Sequence, residues 1–319
     1  MRNYILNIAG YKIRFESSDS GPDIVPSERF LRFLIHEIPG VSTPQPPRWR
    51  ANEEGKGRNG GEDNDLIITV HAGEITLPDD AKRVFHAPFV EEINGVLFQQ
   101  NPEFWSIWKY HSDLFIHVVF PDQFNEKNAV LKFSTDSNHW DLWIDSKETM
   151  VDPFQYPLDG LILYYLTVIN KDIMIHASGI NNAGKGFLFS GVSGKGKTTM
   201  AGLWENSGAK VIHDDRLILR KSGNGYVMHN SPVYNNDEPR QSPLDRIFII
   251  EHGKENEMVQ VGGANAVSLV MANCIQHNWG QETIAPLLDA VSDLCSRVKV
   301  FKLSFIPDRT ITDHILAHE

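Results

Sequence analysis

The sequence predicts an α+β / α/β chain in two parts. Residues 1–150 read as a β-rich antiparallel region, and residues 151–319 as a mixed sheet with flanking helices. Three observations predict this. Short runs of alternating apolar and polar residues, separated by turn signals, fill the first part. Near residue 153, helices of ordinary length begin to alternate with strands. A glycine-rich loop then stands between an apolar strand run and a helix-forming segment.

The elements follow in order. Residues 4–8 and 11–15 alternate about Ala9-Gly10 and read as a hairpin. Residues 27–38 place Phe30, Phe33, Leu34 and Ile38 near helical spacing, with Ser27 as N-cap. Residues 41–65 are rich in Pro, Gly, Asn and Glu and nearly free of apolar side chains, so a mobile loop is expected. Strands are expected over 66–71, 95–99, 105–110, 114–120, 130–134 and 140–144. Residues 156–170 read as an apolar helix. Residues 173–180 and 186–191 read as strands around a turn at 181–184. Residues 198–206 read as a helix stopped by Gly208, 210–213 as a strand, and 217–220 with 226–229 as a hairpin. A strand at 247–251, helices at about 264–277 and 283–296, and a strand at 298–305 complete the reading.

Composition excludes several classes of function. The chain of 319 residues carries 30 Lys+Arg against 41 Asp+Glu, a net charge of −11 that repels nucleic acid and anionic membrane. The longest apolar run, residues 161–169, is far short of the ~20 residues a membrane helix needs. Met1–Glu16 alternates polar and apolar residues from the start, unlike a signal peptide. Two cysteines, Cys274 and Cys295, lie in apolar stretches and read as small buried hydrophobes. Together these features predict a cytoplasmic protein with neither nucleic acid nor membrane as partner. His252, His277, His314 and His318 share no metal spacing and read as structural.

The sharpest signal is Gly191-Val192-Ser193-Gly194-Lys195-Gly196-Lys197-Thr198, which satisfies G-x-x-x-x-G-K-[ST] at every fixed position. Chance would produce it in roughly one chain of this length in a hundred. The run Phe187-Leu188-Phe189-Ser190 before it and the helix formers after it supply the strand–loop–helix context. In such a loop the glycines let backbone N–H groups converge on a β-phosphate, where the helix N-terminus adds positive charge. Lys197 reaches the β- and γ-phosphates, and the Thr198 hydroxyl is placed for Mg²⁺. The expected ligands are therefore ATP, or another nucleoside triphosphate, and Mg²⁺.

Two features bracket the loop. His176 lies on the strand before it, and His213-Asp214-Asp215 ends the strand after it. An acid at the end of a strand neighbouring such a loop faces the phosphates and can hold Mg²⁺ directly or through water. A second carboxylate beside it can take a proton from an incoming hydroxyl.

The run IHASGI…GKGFLFSGVSGKGKTTMAGLWENSGAKVIHDDRLIL resembles the catalytic domain of HPr kinase/phosphorylase and its kinase-like relatives, over about residues 155–305. That family is similar in placing a His on the strand before the loop and a paired aspartate on the strand after it. The resemblance implies that Lys197 holds the triphosphate and Thr198 holds Mg²⁺. It makes Asp215 the general base toward an acceptor serine, with Asp214 and His176 completing the pocket and Asp214 also reaching the metal. The HPr enzymes carry a further metal-binding Glu, for which Glu238 in Glu238-Pro239-Arg240-Gln241 is the nearest match. The glycines of their E-[IV]-R-G-x-G segment are absent here, which argues against a reverse, phosphorolytic reaction and against HPr itself as substrate. ATP-dependent PEP carboxykinase is a more distant resemblance, sharing the acid pair and a Thr-Thr pair, here Thr198-Thr199.

The leading expectation is a Mg²⁺-ATP-dependent kinase acting on a Ser or Thr hydroxyl of a protein or peptide. Residues 1–150 would bind the acceptor or cover the site. A small-molecule kinase acting on a sugar or amino-acid hydroxyl, and a non-catalytic nucleotide sensor, are the alternatives. A homo-oligomer is left open.

Overall fold

The structure, a computed structural model, describes residues 1–35, 64–93, 96–120, 127–192, 194–277 and 279–318, with side chains at 90–102 also left undescribed. The expected loop over 41–65 lies outside the described residues, apart from Asn64 and Asp65. Two compact units divide the chain, Met1–Tyr165 and Leu166–Glu319. The chain is α+β, with helices in the minority and both large sheets mixed.

The first unit contains β1 (Asn3–Ile8), β2 (Tyr11–Ser17), β3 (Asp23–Ile24), β4 (Leu66–Ala72), β5 (Lys82–Ile93), β6 (Val96–Tyr110), β7 (Asp113–Val119), β8 (Asn128–Phe133), β9 (His139–Asp145) and β10 (Met150–Val151). Eight of these strands form one sheet in the order β1-β2-β4-β9-β8-β7-β6-β5. Ala9 and Gly10, both at positive φ (54° and 82°), make the tight turn between β1 and β2. The expectation of an antiparallel sheet is corrected here, because β4 runs parallel to both β2 and β9. Parallel neighbours need a long crossover, and the segments between β2 and β4 and between β4 and β9 supply it.

The helix expected over 27–38 is a single 3₁₀ element, Glu28–Phe33, which buries Phe30 and Phe33. Leu34 turns extended (φ −65°, ψ 137°) and bridges Leu6, and Ile35 N–H donates to the Ile5 carbonyl at 3.0 Å. Pairing with β1 thus wins over further helix, and residues 36–38 lie outside the described residues. The strands expected at 95–99 and 105–110 are one long strand, β6. Its partner β5, rich in charge and carrying Pro88, gave no alternating pattern.

α1 (Leu158–Asn170) spans the division between the units and stops where Lys171 takes φ 56°. The second unit continues with β11 (Ile173–Asn182), β12 (Lys185–Ser190), α2 (Lys197–Asn206), β13 (Lys210–His213), β14 (Arg216–Ser222), β15 (Gly225–Asn230), β16 (Gln241–Pro243), β17 (Arg246–His252), β18 (Glu257–Val261), α3 (Gly263–Met271), α4 (Gln281–Arg297), β19 (Lys299–Phe305) and α5 (Thr310–Ala317). Its sheet runs β16-β15-β14-β11-β12-β17-β19-β18, with β13 also paired to β11. Strands β12, β17 and β19 are parallel to one another.

Alternation along β12 explains the layers. Phe187 and Phe189 face Met200 and Trp204 of α2 and Ile311 and Ile315 of α5. Leu188 faces the other way, into the cluster that holds Ala266 and Val270 of α3 and Leu287, Val291 and Leu294 of α4. The strand that leads into the glycine-rich loop is therefore buried on both faces, as its unbroken apolar run requires.

The β15 residue His229 ties this core to pH. Burial, then Arg220, lowers its pKa from 6.5 to about 4. The unfolded chain takes up the proton first, so this stability is whole above pH 6.5 and is lost as pH falls toward 4. The loss amounts to at most about 3 kcal/mol. We expect His229→Gln to flatten the fall in denaturation midpoint between these pH values; an unchanged slope would show that the His229 proton is not the cause.

Candidate functional site

The site is built around β11. On one side β11 pairs with β12, Ala177 opposite Ser190, so His176 stands level with the start of the glycine-rich loop. Ser190 Oγ donates to the His176 carbonyl at 2.7 Å and fixes that level. On the other side Gly179 pairs with His213 of β13 and His176 with Arg216 of β14. The Asp214-Asp215 turn between these strands therefore reaches the same height. Ala177 N–H donates to the Asp215 carbonyl at 3.0 Å. Residues far apart in sequence converge because one strand carries a neighbour on each side.

The three glycines of the loop, two of them at its fixed positions, have separate reasons. A Cβ on Gly191 would lie 2.8 Å from the Ile250 carbonyl oxygen. Gly194 takes φ 77° with open space around it. Gly196 takes φ 93° and would meet the Phe305 ring at 2.9 Å. Gly196 is also the N-cap of α2, with no side-chain cap, so the amides of the first helical turn are left for an anion. Lys195 N–H closes a turn onto the Val192 carbonyl at 3.2 Å, and Val192 is exposed. Ser193 lies outside the described residues.

Lys197 is 8 % exposed, and its Nζ donates to the Gly191 carbonyl at 2.8 Å. Burial lowers its pKa, while the Asp215 carboxylate works in the opposite direction. Thr198 and Thr199 are exposed on the first turn of α2. His176 Nε2 stands 3.5 Å from Asp215 Oδ1. Burial lowers the pKa of His176; Lys197 and Arg216 reinforce this and Asp215 opposes it. Lys197, His176 and Asp215 thus share one electrostatic neighbourhood.

These residues fit a nucleoside triphosphate and a hard divalent cation. The loop offers unpaired helix-end amides and a buried ammonium whose hydrogen bond is to a carbonyl. Thr198 and Asp214 offer the oxygen donors that Mg²⁺ takes. Among the described residues no group of three or more His, Cys, Asp or Glu side chains is placed to hold a metal. The Glu238 carboxylate pairs with Arg240 at 3.3 Å, and its backbone carbonyl accepts from Asn230 Nδ2 at 2.9 Å.

Sequence reasoning missed three participants. His213 is 4 % exposed and links the acid turn to Asp237. Tyr234 stacks on its ring, with centroids 5.5 Å apart. His252 Nε2 lies 3.3 Å from the Gly194 carbonyl, and its ring lies against Phe305. Of these, only the cluster Tyr234-Asn235-Asn236-Asp237 carried a signal, that of an Asx-type turn.

Fold and site together define an α+β protein whose second unit carries a glycine-rich loop between a parallel strand and a helix, with His176 and Asp215 in the electrostatic neighbourhood of its lysine. The chain belongs to the ScmC family, described as SynChlorMet cassette protein ScmC, whose sequence model matches residues 158–317, half of the chain. No match to the chain was found among curated proteins. Among solved structures, the Hpr(Ser) kinase/phosphatase from Coxiella burnetii aligns with 46 % of this chain and 97 % of its own, at 11 % identity and a TM-score of 0.27. Among the described residues no helix is long and apolar enough to cross a membrane.

Proposed function

We propose that the chain is a Mg²⁺-ATP-dependent phosphotransferase that phosphorylates a Ser or Thr hydroxyl of a protein or peptide. One observation carries this reading: at an uncapped glycine-rich loop, the buried Lys197 ammonium lies in the field of the Asp215 carboxylate, which stands 3.5 Å from His176. A cation for phosphate and a base for a hydroxyl share one electrostatic neighbourhood.

The chemistry is in-line displacement. The acceptor oxygen forms a bond to the γ-phosphorus while the bond from that phosphorus to the β,γ-bridging oxygen breaks, and ADP departs. Asp215 receives the hydroxyl proton. Lys197 and the loop amides hold the phosphates in position and offset their charge. Mg²⁺, held by Thr198 and Asp214, would supply further charge neutralisation. His176 borders Asp215 and completes the pocket wall.

The test follows the γ-phosphate. Purified protein is incubated with Mg²⁺ and γ-labelled ATP, alone and with peptides encoded by adjacent genes, which the cassette description of the family makes the first acceptors to try. Label on a peptide serine supports the reading. Label on a metabolite would replace it with a small-molecule kinase, and retained binding without any transfer would replace it with a nucleotide sensor. Lys197→Ala is expected to weaken nucleotide binding roughly 10–100-fold, the worth of a charged hydrogen bond. Unchanged affinity by titration would remove Lys197 from the phosphate site.

A further inference from the structure

Two chain segments meet on one buried imidazole. His213 closes β13, and its Nδ1 accepts the amide N–H of Asp215 at 3.1 Å and of Arg216 at 3.2 Å. Because Nδ1 accepts, the ring proton sits on Nε2. From there it is donated to Asp237 Oδ2 at 3.3 Å. The same carboxylate oxygen accepts the amides of Val233 at 2.8 Å and Tyr234 at 2.7 Å. Burial disfavours the ionised Asp237, but the His213 N–H and these two amides outweigh it and hold its pKa below the ordinary carboxylate value.

One histidine thus fastens the turn that bears Asp215 to the loop that bears Tyr234. Tyr234 lies flat on the His213 ring, 22° from parallel, yet stays 47 % exposed. Its phenol lies in the field of Asp214 and Asp215, which, after burial, raise its pKa. An exposed aromatic face therefore stands beside the acid pair, held by hydrogen bonds that His213 completes.

The geometry points to His213 as a positioning residue: a clasp that sets Asp215 against the phosphate loop on one side and the Val233–Asp237 loop, with the Tyr234 ring as acceptor wall, on the other. Its kinetic consequence rests on the phosphotransfer reading; its structural consequence does not.

The two ring nitrogens can be tested separately. An Asn amide reaches the place of Nδ1, and a Gln amide the place of Nε2. His213→Gln keeps the clasp on Asp237 but frees the Asp215 turn, and is expected to lower kcat about tenfold with the nucleotide KM unchanged. His213→Asn keeps the turn but frees the loop, and is expected to raise acceptor KM with a smaller loss of kcat than His213→Gln. Equal kcat in the two variants, both shown folded by thermal melting, would overturn the assignment.

A second readout needs no activity. Nitrogen-15 NMR of the full chain is expected to show a bare Nδ1 and a protonated Nε2 on His213. Asp237→Ala is expected to move the amide resonances of Asp215 and Arg216, and Asp237→Asn, which keeps an acceptor oxygen, to move them less and to serve if the Ala variant does not fold. A protonated Nδ1, or Asp215 and Arg216 resonances indifferent to Asp237, would end the proposal. If the wild type transfers no label, the phosphotransfer reading fails while the NMR result still decides the clasp.

Discussion

Asp215→Asn is expected to lower phosphoryl transfer about 10²–10⁴-fold, the usual worth of a general base, while nucleotide binding stays near the wild-type value. Asparagine has the same shape, so the contacts that place the side chain survive. The Asp215 amide still donates to His213 Nδ1 at 3.1 Å, and its carbonyl still accepts from Ala177 at 3.0 Å. What disappears is the proposed proton acceptor. The side chain is 30 % exposed, so the melting temperature should hardly change. Single-turnover transfer from γ-labelled ATP, beside a nucleotide titration of the same preparation, measures both quantities. If the folded variant loses binding together with transfer, Asp215 holds the phosphates or their metal and another group must take the proton.

The parts of this site differ in how far the sequence disclosed them, and the reason is physical. Lys197 and Thr198 are legible because a phosphate cradle demands fixed spacing within one turn of chain. His176, Asp214 and Asp215 are legible only as neighbours of that cradle, since their meeting depends on β11 pairing with β12 on one side and with β13 and β14 on the other. The role of His213 was not legible at all. It sits in the quoted His213-Asp214-Asp215 run, but its importance depends on which ring nitrogen faces the Asp215 amide and on Asp237, which a separate loop brings in. The fold shows the same division. The hairpin at Ala9-Gly10 and helix α2 are local events and could be read directly. The parallel pairing of β4 with β2 and β9 is a long-range choice that no local pattern encodes. Edge strand β18, exposed along most of its length, lacks the apolar face that would have announced it.

Two glycine-to-alanine changes in the strand and helix that flank the loop are expected to act in opposite directions. Gly186 lies near the start of β12, at the end away from the glycine-rich loop, and a Cβ there would run into the backbone carbonyl of Pro243 on β16. That carbonyl cannot retreat easily. Gly186 N–H donates to Asp245 Oδ2 at 2.7 Å, and the Gly186 carbonyl accepts the Asp245 amide at 2.9 Å, so the two segments are braced together. Relief of the clash would separate them and break these bonds. Gly186→Ala should therefore destabilise the fold by about 3 kcal/mol or more, the upper range for overpacking against an unyielding neighbour. Gly202 lies in α2 with open space where its Cβ would stand and no positive φ. Gly202→Ala should stabilise by about 0.4–1 kcal/mol, because alanine has fewer unfolded conformations to lose. Chemical denaturation of the two variants beside the wild type reads the difference. If Gly186→Ala melts with the wild type, β16 can move away from β12 at little cost, and the register that holds the loop strand comes from its ladder partners β11 and β17.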